Sequence, residues 1–279
     1  MKEYDKYLKL LKEKYPTKQS VYRELINLNA IMNLPKGTEH FMSDLHGEYD
    51  AFYHIINNCS GVIREKVAML YGDELTVYEQ QELCTLIYYP REKLSILMDE
   101  NKVNDEWYRN VLNQLIQIAK LLSSKYTRSK VRKAMPVDFA YIIDELIHAQ
   151  KDEDDNRSVY HRQIMETILS LHNGDEFLVA LTDLIKRLAV DHLHILGDIY
   201  DRGAHADKIL DLLMEHHSVD IQWGNHDILW MGAFCGNPVC MALVVRNNIK
   251  YKTMSILENG YGISPVSYTH LTLPTNREV

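Results

Sequence analysis

The chain has 279 residues, 46% of them hydrophobic, and a formal net charge of −8 at pH 7. That apolar share over that length can bury a sizeable core in one large domain or two ordinary ones, which excludes a disordered chain. The acidic balance argues against a general nucleic-acid binder, which needs a basic face, so any anionic ligand would need local positive charge.

The N-terminal "MKEYDKYLKLLKEKYPTK" lacks the apolar centre of a secretion signal. No stretch reaches the ~20 consecutive apolar residues of a membrane span, so the expectation is a cytoplasmic protein with no membrane and no nucleic-acid partner. From Tyr4 to Leu34, apolar residues recur at steps of three and four (Leu8, Leu11, Tyr15, then Val21, Leu25, Leu28, Ile31). This spacing predicts two short amphipathic helices broken near Pro16 and ended by Pro35 and Gly37. "HFMSDLHG" predicts a short strand running into a glycine-containing loop, and "EYDAFYHIINNCSG" the helix after it.

From Val62 to about Leu188 the pattern is almost wholly helical, with very little glycine. Within it, "KDEDDNRS" predicts a solvated loop between two helical blocks, and the basic stretch Lys125 to Lys133 a solvated helix face. Strand signal returns in "AVDHLHILGDIYDRG", where Val190, Leu193 and Ile195 alternate with polar neighbours and the run ends at Gly197. The helical "AHADKILDLLMEHH" follows, and "VDIQWGNHD" repeats the plan. His192 and His194 read as packing or surface residues and receive no role. Cys59, Cys84, Cys235 and Cys240 form no CxxC pair and no disulfide-dense pattern, which predicts reduced, space-filling thiols.

Three predicted strand ends thus carry Asp44 with His46, Asp198 with Asp201 and Arg202, and Asn225 with His226. In open α/β sheets, loops at the carboxyl ends of strands converge on one crevice. Singly, DxHG reads as a turn with a polar cap and GNHD as a turn. GDxxDRG is much rarer, and its two carboxylates and arginine have no evident structural partner nearby in sequence, a helix cap plus a surface ion pair being the lesser alternative. Together, in this order and each after a strand-like run, they point to one polar site.

These strings carry a resemblance. "SDLHG", "GDIYDRG" and "GNHD" resemble the signatures of the calcineurin-like metallophosphoesterases, in the branch shared with phosphoprotein phosphatases. "HFMSDLHGEYDAFYHIINNCSG", "HILGDIYDRGAHADKIL" and "GNHDILWMGAFCGNPVC" are similar, more narrowly, to the class III fructose-1,6-bisphosphatase family. The long helical stretch between the first two motifs fits that family and not a phosphoprotein phosphatase. The resemblance implies an α/β fold, a calcineurin-like metallophosphoesterase sandwich incomplete over this length, with a large helical insertion between the first and second motif-bearing strands. The boundaries it suggests are 1–61 for N-terminal helices and the first part of the core, 62–188 for the insertion, 189–264 for the second part, and 265–279 for a tail.

It further implies hydrolysis of a phosphate monoester, fructose 1,6-bisphosphate in gluconeogenesis, with two divalent ions, Mn2+ by the donor chemistry. By the family's pattern Asp44 and His46 bind the first ion, Asp198 bridges both and Asn225 binds the second. Arg202 orients the phosphate through its planar fork, His226 protonates the departing sugar oxygen, and Asp201 holds that imidazole. The motifs address only the phosphate, so a phosphoprotein or dinucleoside polyphosphate substrate stays open. A non-catalytic helical interaction module over Val62 to Leu188 also stays open, as does a homo-oligomer. Family members supply further histidine ligands from a later part of a chain well over twice this length. The ending "PVSYTHLTLPTNREV" does not resemble theirs and looks like an assembly scar, so His270 is given no role and the expectation is a fragment with weak or absent hydrolysis.

Overall fold

The computed structural model describes residues 2–149 and 155–262. The expected tail at 265–279 and the first half of the predicted acidic loop therefore lie outside the described residues. Helices α1 (Lys2–Lys14) and α2 (Lys18–Ile31) form as their spacing predicts. The break at Pro16 is followed by a capping box, in which Ser20 N donates to Thr17 Oγ1 and Thr17 N to Ser20 Oγ, both at 3.1 Å. Among the described residues their apolar stripe is largely uncovered: α2 buries none of its side chains, and Tyr7, Leu8, Leu25 and Leu28 are exposed.

Strand β1 (Glu39–Met42) leads through the first motif into α3 (Tyr49–Asn58). The left-handed Cys59 ends that helix, and the chain then enters a helical unit. Its members are α4 (Val62–Tyr71), α5 (Val77–Tyr88), α6 (Pro90–Asp99), α7 (Asp105–Ser123), α8 (Arg128–Ala134), α9 (Ala140–Ile147), α10 (Asp155–Ser170) and α11 (Gly174–Ala189). Caps start them where the sequence supplies a short polar side chain, as at Thr76 with Glu79, Asn104 and Thr127. The centre is α7 against α11. Leu112, Leu115, Ile118 and Leu122 meet Phe177, Leu178, Leu181 and Leu184, all without appreciable solvent exposure, on the three-and-four spacing of a helix face.

Two expectations need correction here. Asn156, Arg157 and Ser158 of the predicted acidic loop belong to α10. The basic stretch does more than face solvent, because Lys125 Nζ donates to Thr38 Oγ1 at 3.2 Å and Lys130 pairs with Asp191. Those contacts tie the helical unit to the residues that enter β1 and β2.

The second strand is β2 (His192–Ile195), followed by α12 (Ala206–Glu215) and β3 (Val219–Ile221). The sheet has the order β1-β2-β3 and both pairings are parallel, with Phe41 opposite His194 and His194 opposite Asp220. Parallel neighbours require crossovers, which here are the whole run α3 to α11 for the first pair and α12 for the second. One face packs on α3 and α12 through Phe52, Leu193, Ile195, Ile209 and Leu213. A last group, α13 (Asn225–Phe234), α14 (Pro238–Tyr251) and α15 (Met254–Tyr261), closes around Trp230, Val244 and Leu257.

The chain is therefore α/β, mostly helical with one small parallel sheet. The expected sandwich needs two sheets, and the described residues form one. All four cysteines are free; Cys59 and Cys84 are buried in the helical core, and burial pushes the Cys59 thiol up to about 12. Cys235 is exposed and fills no space. Among the described residues no helix is long and apolar enough to cross a membrane.

Candidate metal centre

All three strands run the same way, so the loops that follow them leave from one end of the sheet. The first two loops continue the ladder beyond the strands. Asp44 N donates to Gly197 O at 3.2 Å, His46 N to Asp198 O at 2.8 Å, and Gly47 N to Ile199 O at 2.7 Å. Gly203 N then returns a bond to His46 O at 2.6 Å. The backbones cross so closely that a Cβ on Gly47, whose φ is +70°, would overlap the Gly203 carbonyl. The third loop is joined by Asp227. Its fully buried carboxylate accepts from Asp198 N and Gly224 N on Oδ2 at 2.7 and 2.8 Å, and from Ile199 N and Tyr200 N on Oδ1 at 2.8 and 3.1 Å.

This lacing brings five of the seven expected site residues into two adjoining groups, with Arg202 and Asn225 at the same end of the sheet. Asp44, His46 and Asp198 each offer one donor atom within 4.8 Å of the other two. His226 Nδ1 lies 2.6 Å from Asp201 Oδ2, and the rings of His46 and His226 meet edge-to-face with centroids 5.3 Å apart. Arg202 is exposed beside them, close enough for its charge to act on Asp44. Asn225 opens α13 at the same end of the sheet, exposed, next to His226, whose N–H donates to Asp198 Oδ1 at 3.1 Å.

The backbone is strained where the site is. Asp44, His46, Asp198, Asp201 and Arg202 all have φ between 48° and 73°, a region that costs a non-glycine residue on the order of 1 kcal/mol or more. Such conformations persist only where surrounding bonds enforce them, and here the cross-loop ladder and Asp227 do so.

The donor set fits a divalent metal ion. His46 is 4% exposed; its Nδ1 lies 3.1 Å from the Tyr200 carbonyl oxygen, to which that nitrogen can only donate. That bond needs the proton on Nδ1, so in the neutral ring the lone pair falls on Nε2. That Nε2 is buried without a hydrogen-bond partner, 3.4 Å from Asp44 Oδ1. An orphaned imidazole nitrogen between two carboxylates is what a borderline-hard cation satisfies. Asp44 is kept ionised for that role. The Ser43 side-chain hydrogen bond, foremost, and the charge of Arg202 hold its carboxyl below the usual carboxylate value.

Several contributors were not expected from the sequence. Asp227 stood inside the quoted GNHD with no role, although a carboxylate three residues after Gly224 has the spacing of a helix-capping residue. Buried Asp201 also accepts from Trp230 Nε1 at 2.9 Å and from Asn247 Nδ2 at 2.8 Å, so its two oxygens serve three donors. Nothing in the sequence around Asn247 signals this.

The profile described as Firmicute fructose-1,6-bisphosphatase matches residues 6–276. A class 3 fructose-1,6-bisphosphatase of Clostridium beijerinckii is 54% identical over 95% of this chain and 41% of its own length. One of Listeria monocytogenes is 54% identical over 93% of this chain and 40% of its own, and one of Clostridium acetobutylicum is 53% identical over 93% and 39%. The chain thus spans about two-fifths of the length of these curated relatives. No solved structure matches it. With a profile match over nearly all its residues and identities above one half, the chain belongs to the Firmicute fructose-1,6-bisphosphatase family.

Proposed function

We propose that this chain carries the phosphate-cleaving centre of a class 3 fructose-1,6-bisphosphatase, built on one half of a calcineurin-like sandwich. The observation that supports it most is the meeting of Asp44, His46 and Asp198 beside the His226–Asp201 pair. Asp44, His46 and Asp198 would hold one divalent ion, and Asp198 with Asn225 a second, with Mn2+ suiting these carboxylate, amide and imidazole donors. When bound, the two ions supply positive charge to the phosphoryl oxygens and lower the pKa of the attacking water.

The chain's own residues do the rest. Arg202 presents a planar fork to two phosphate oxygens, adding a local cation to an acidic protein. Asp201 holds Nδ1 of His226, which fixes the orientation of the ring. Nε2 then delivers a proton to the departing sugar oxygen. Trp230 and Asn247 keep the Asp201 carboxylate from turning away. The products are fructose 6-phosphate and phosphate.

The test pairs Mn2+ titration with phosphate release from fructose 1,6-bisphosphate. The chain should bind Mn2+ and release phosphate slowly, because Asn225 and the shared Asp198 are a sparse ligand set for the second ion. Asp198→Ala should lose both binding and release. His226→Gln should keep binding and lower turnover by about 100-fold or more. Unchanged Mn2+ binding in Asp198→Ala overturns the reading.

A further inference from the structure

Strand β2 carries a second donor set that the phosphatase reading does not use. His192 and His194 stand two residues apart, so the pleat sends both imidazoles to the face opposite Leu193 and Ile195, which enter the core. Asp220, on the neighbouring strand, is the register partner of His194. Its Oδ1 lies 2.8 Å from His194 Nδ1 and its Oδ2 3.3 Å from His192 Nε2. The two rings meet at 65° with centroids 4.5 Å apart. One donor atom from each of the three residues lies within 4.8 Å of the other two.

The surroundings are those of a held site. Ser218 Oγ is 2.6 Å from His192 Nδ1, which fixes that ring with Nε2 turned to Asp220. Phe41 stacks on His194 at 4.4 Å and 13°, forming an apolar wall on that side. Glu39 Oε2 stands 4.0 Å from His194 Nε2 at the edge. The Asp220 carboxyl faces both imidazoles, one with each oxygen. It is 58% exposed, which leaves an entry path.

We propose that His192, His194 and Asp220 form a divalent transition-metal site on the open face of the sheet. Two imidazoles and one carboxylate favour zinc or cobalt over manganese or magnesium, and three protein ligands leave a position for water. Binding displaces the protons that now join the imidazoles to the carboxylate. The ion cross-links β2 to β3, a three-residue edge strand. This site shares no ligand with the carboxyl-end centre, and it stands or falls independently of the phosphatase reading.

The test is a Zn2+ titration against a chromophoric chelator, on the full 279-residue chain and four variants. His194→Ala and Asp220→Asn should each bind one equivalent of Zn2+ fewer than the parent chain, whereas Asp44→Asn should keep that equivalent. Ser218→Ala should retain the equivalent but weaken it by about 10-fold. Melting in chelator separates ligand loss from misfolding. Should His194→Ala fail to fold, the near-isosteric Asp220→Asn decides. Equal Zn2+ stoichiometry and affinity in the parent chain and Asp220→Asn overturns the proposal.

Discussion

Asp227 shows how much a single buried carboxylate can set. Each of its oxygens accepts two backbone N–H groups, from the second loop and from its own. In Asp227→Asn the side chain keeps its shape but turns an NH2 group toward two of those donors. Leaving buried donors unpaired costs on the order of 1–3 kcal/mol each, so the variant should be about 2–6 kcal/mol less stable. Because Asp198 N is one of the four donors, Mn2+ affinity should fall as well, although the replaced side chain is not among the expected ligands. Urea denaturation together with Mn2+ titration checks both, and a variant matching the parent in midpoint and affinity refutes the clamp. The grouping of the proposed ligand residues was legible because they sit in short strings whose order matches the strand ends. The clamping role of Asp227 was not, since three of its four partners lie 27 to 29 residues away in another loop and only the folded backbone brings them within reach.

At the scale of elements, the site depends on where loops can cross. Gly197 has φ +99°, and a Cβ there would overlap the backbone of Gly224 in the third loop. Gly197→Ala should therefore push the second and third loops apart and lower Mn2+ affinity by at least about tenfold, while the helical unit keeps its far-UV dichroism. Retained affinity would show that the loops tolerate the spacing. The α12–β3 connection carries a different dependence. Burial, with help from the charge of His217, pushes the His216 imidazole from its ordinary 6.5 down to about 4. The unfolded chain takes up that proton near 6.5, so between these values it binds more protons than the folded chain. The stability associated with neutral His216 is whole above 6.5 and is lost as pH falls toward about 4. Melting temperature should decline across that window, and His216→Gln should flatten the decline; identical profiles would assign it elsewhere. Periodicity located these elements well, since α1, α2 and the three strands follow their apolar spacing. It misplaced the start of α10, where charge density in "KDEDDNRS" hid residues that complete a helix. It also could not show that the stripe of α2 stays exposed among the described residues.

The whole molecule divides its apolar interior unequally. The helical unit has a continuous core centred on α7 and α11, whereas the sheet has a small cluster on one face and α13 to α15 a third around Trp230. Opening free energy tracks such contact, so the three regions should not exchange amide hydrogens alike. Amides of α7 and α11 should exchange last, and those of the sheet, the motif loops and α13 to α15 earlier. Mn2+ adds stability only to states in which its ligands are assembled. Its addition should thus slow exchange in residues 43–49, 196–203 and 222–230 and in the strands that feed them, while α7 hardly changes. The joints between the units, Lys125 with Thr38, Lys130 with Asp191, and Tyr53 and His54 of α3 against Tyr89, are made by residues outside the buried core around α7 and α11. Hydrogen-exchange mass spectrometry with and without Mn2+ reads all of this in one experiment. Uniform protection in every segment on adding the ion would mean that the sheet and the helical unit unfold as one, and that the metal centre is stabilised by the whole chain rather than by its three loops.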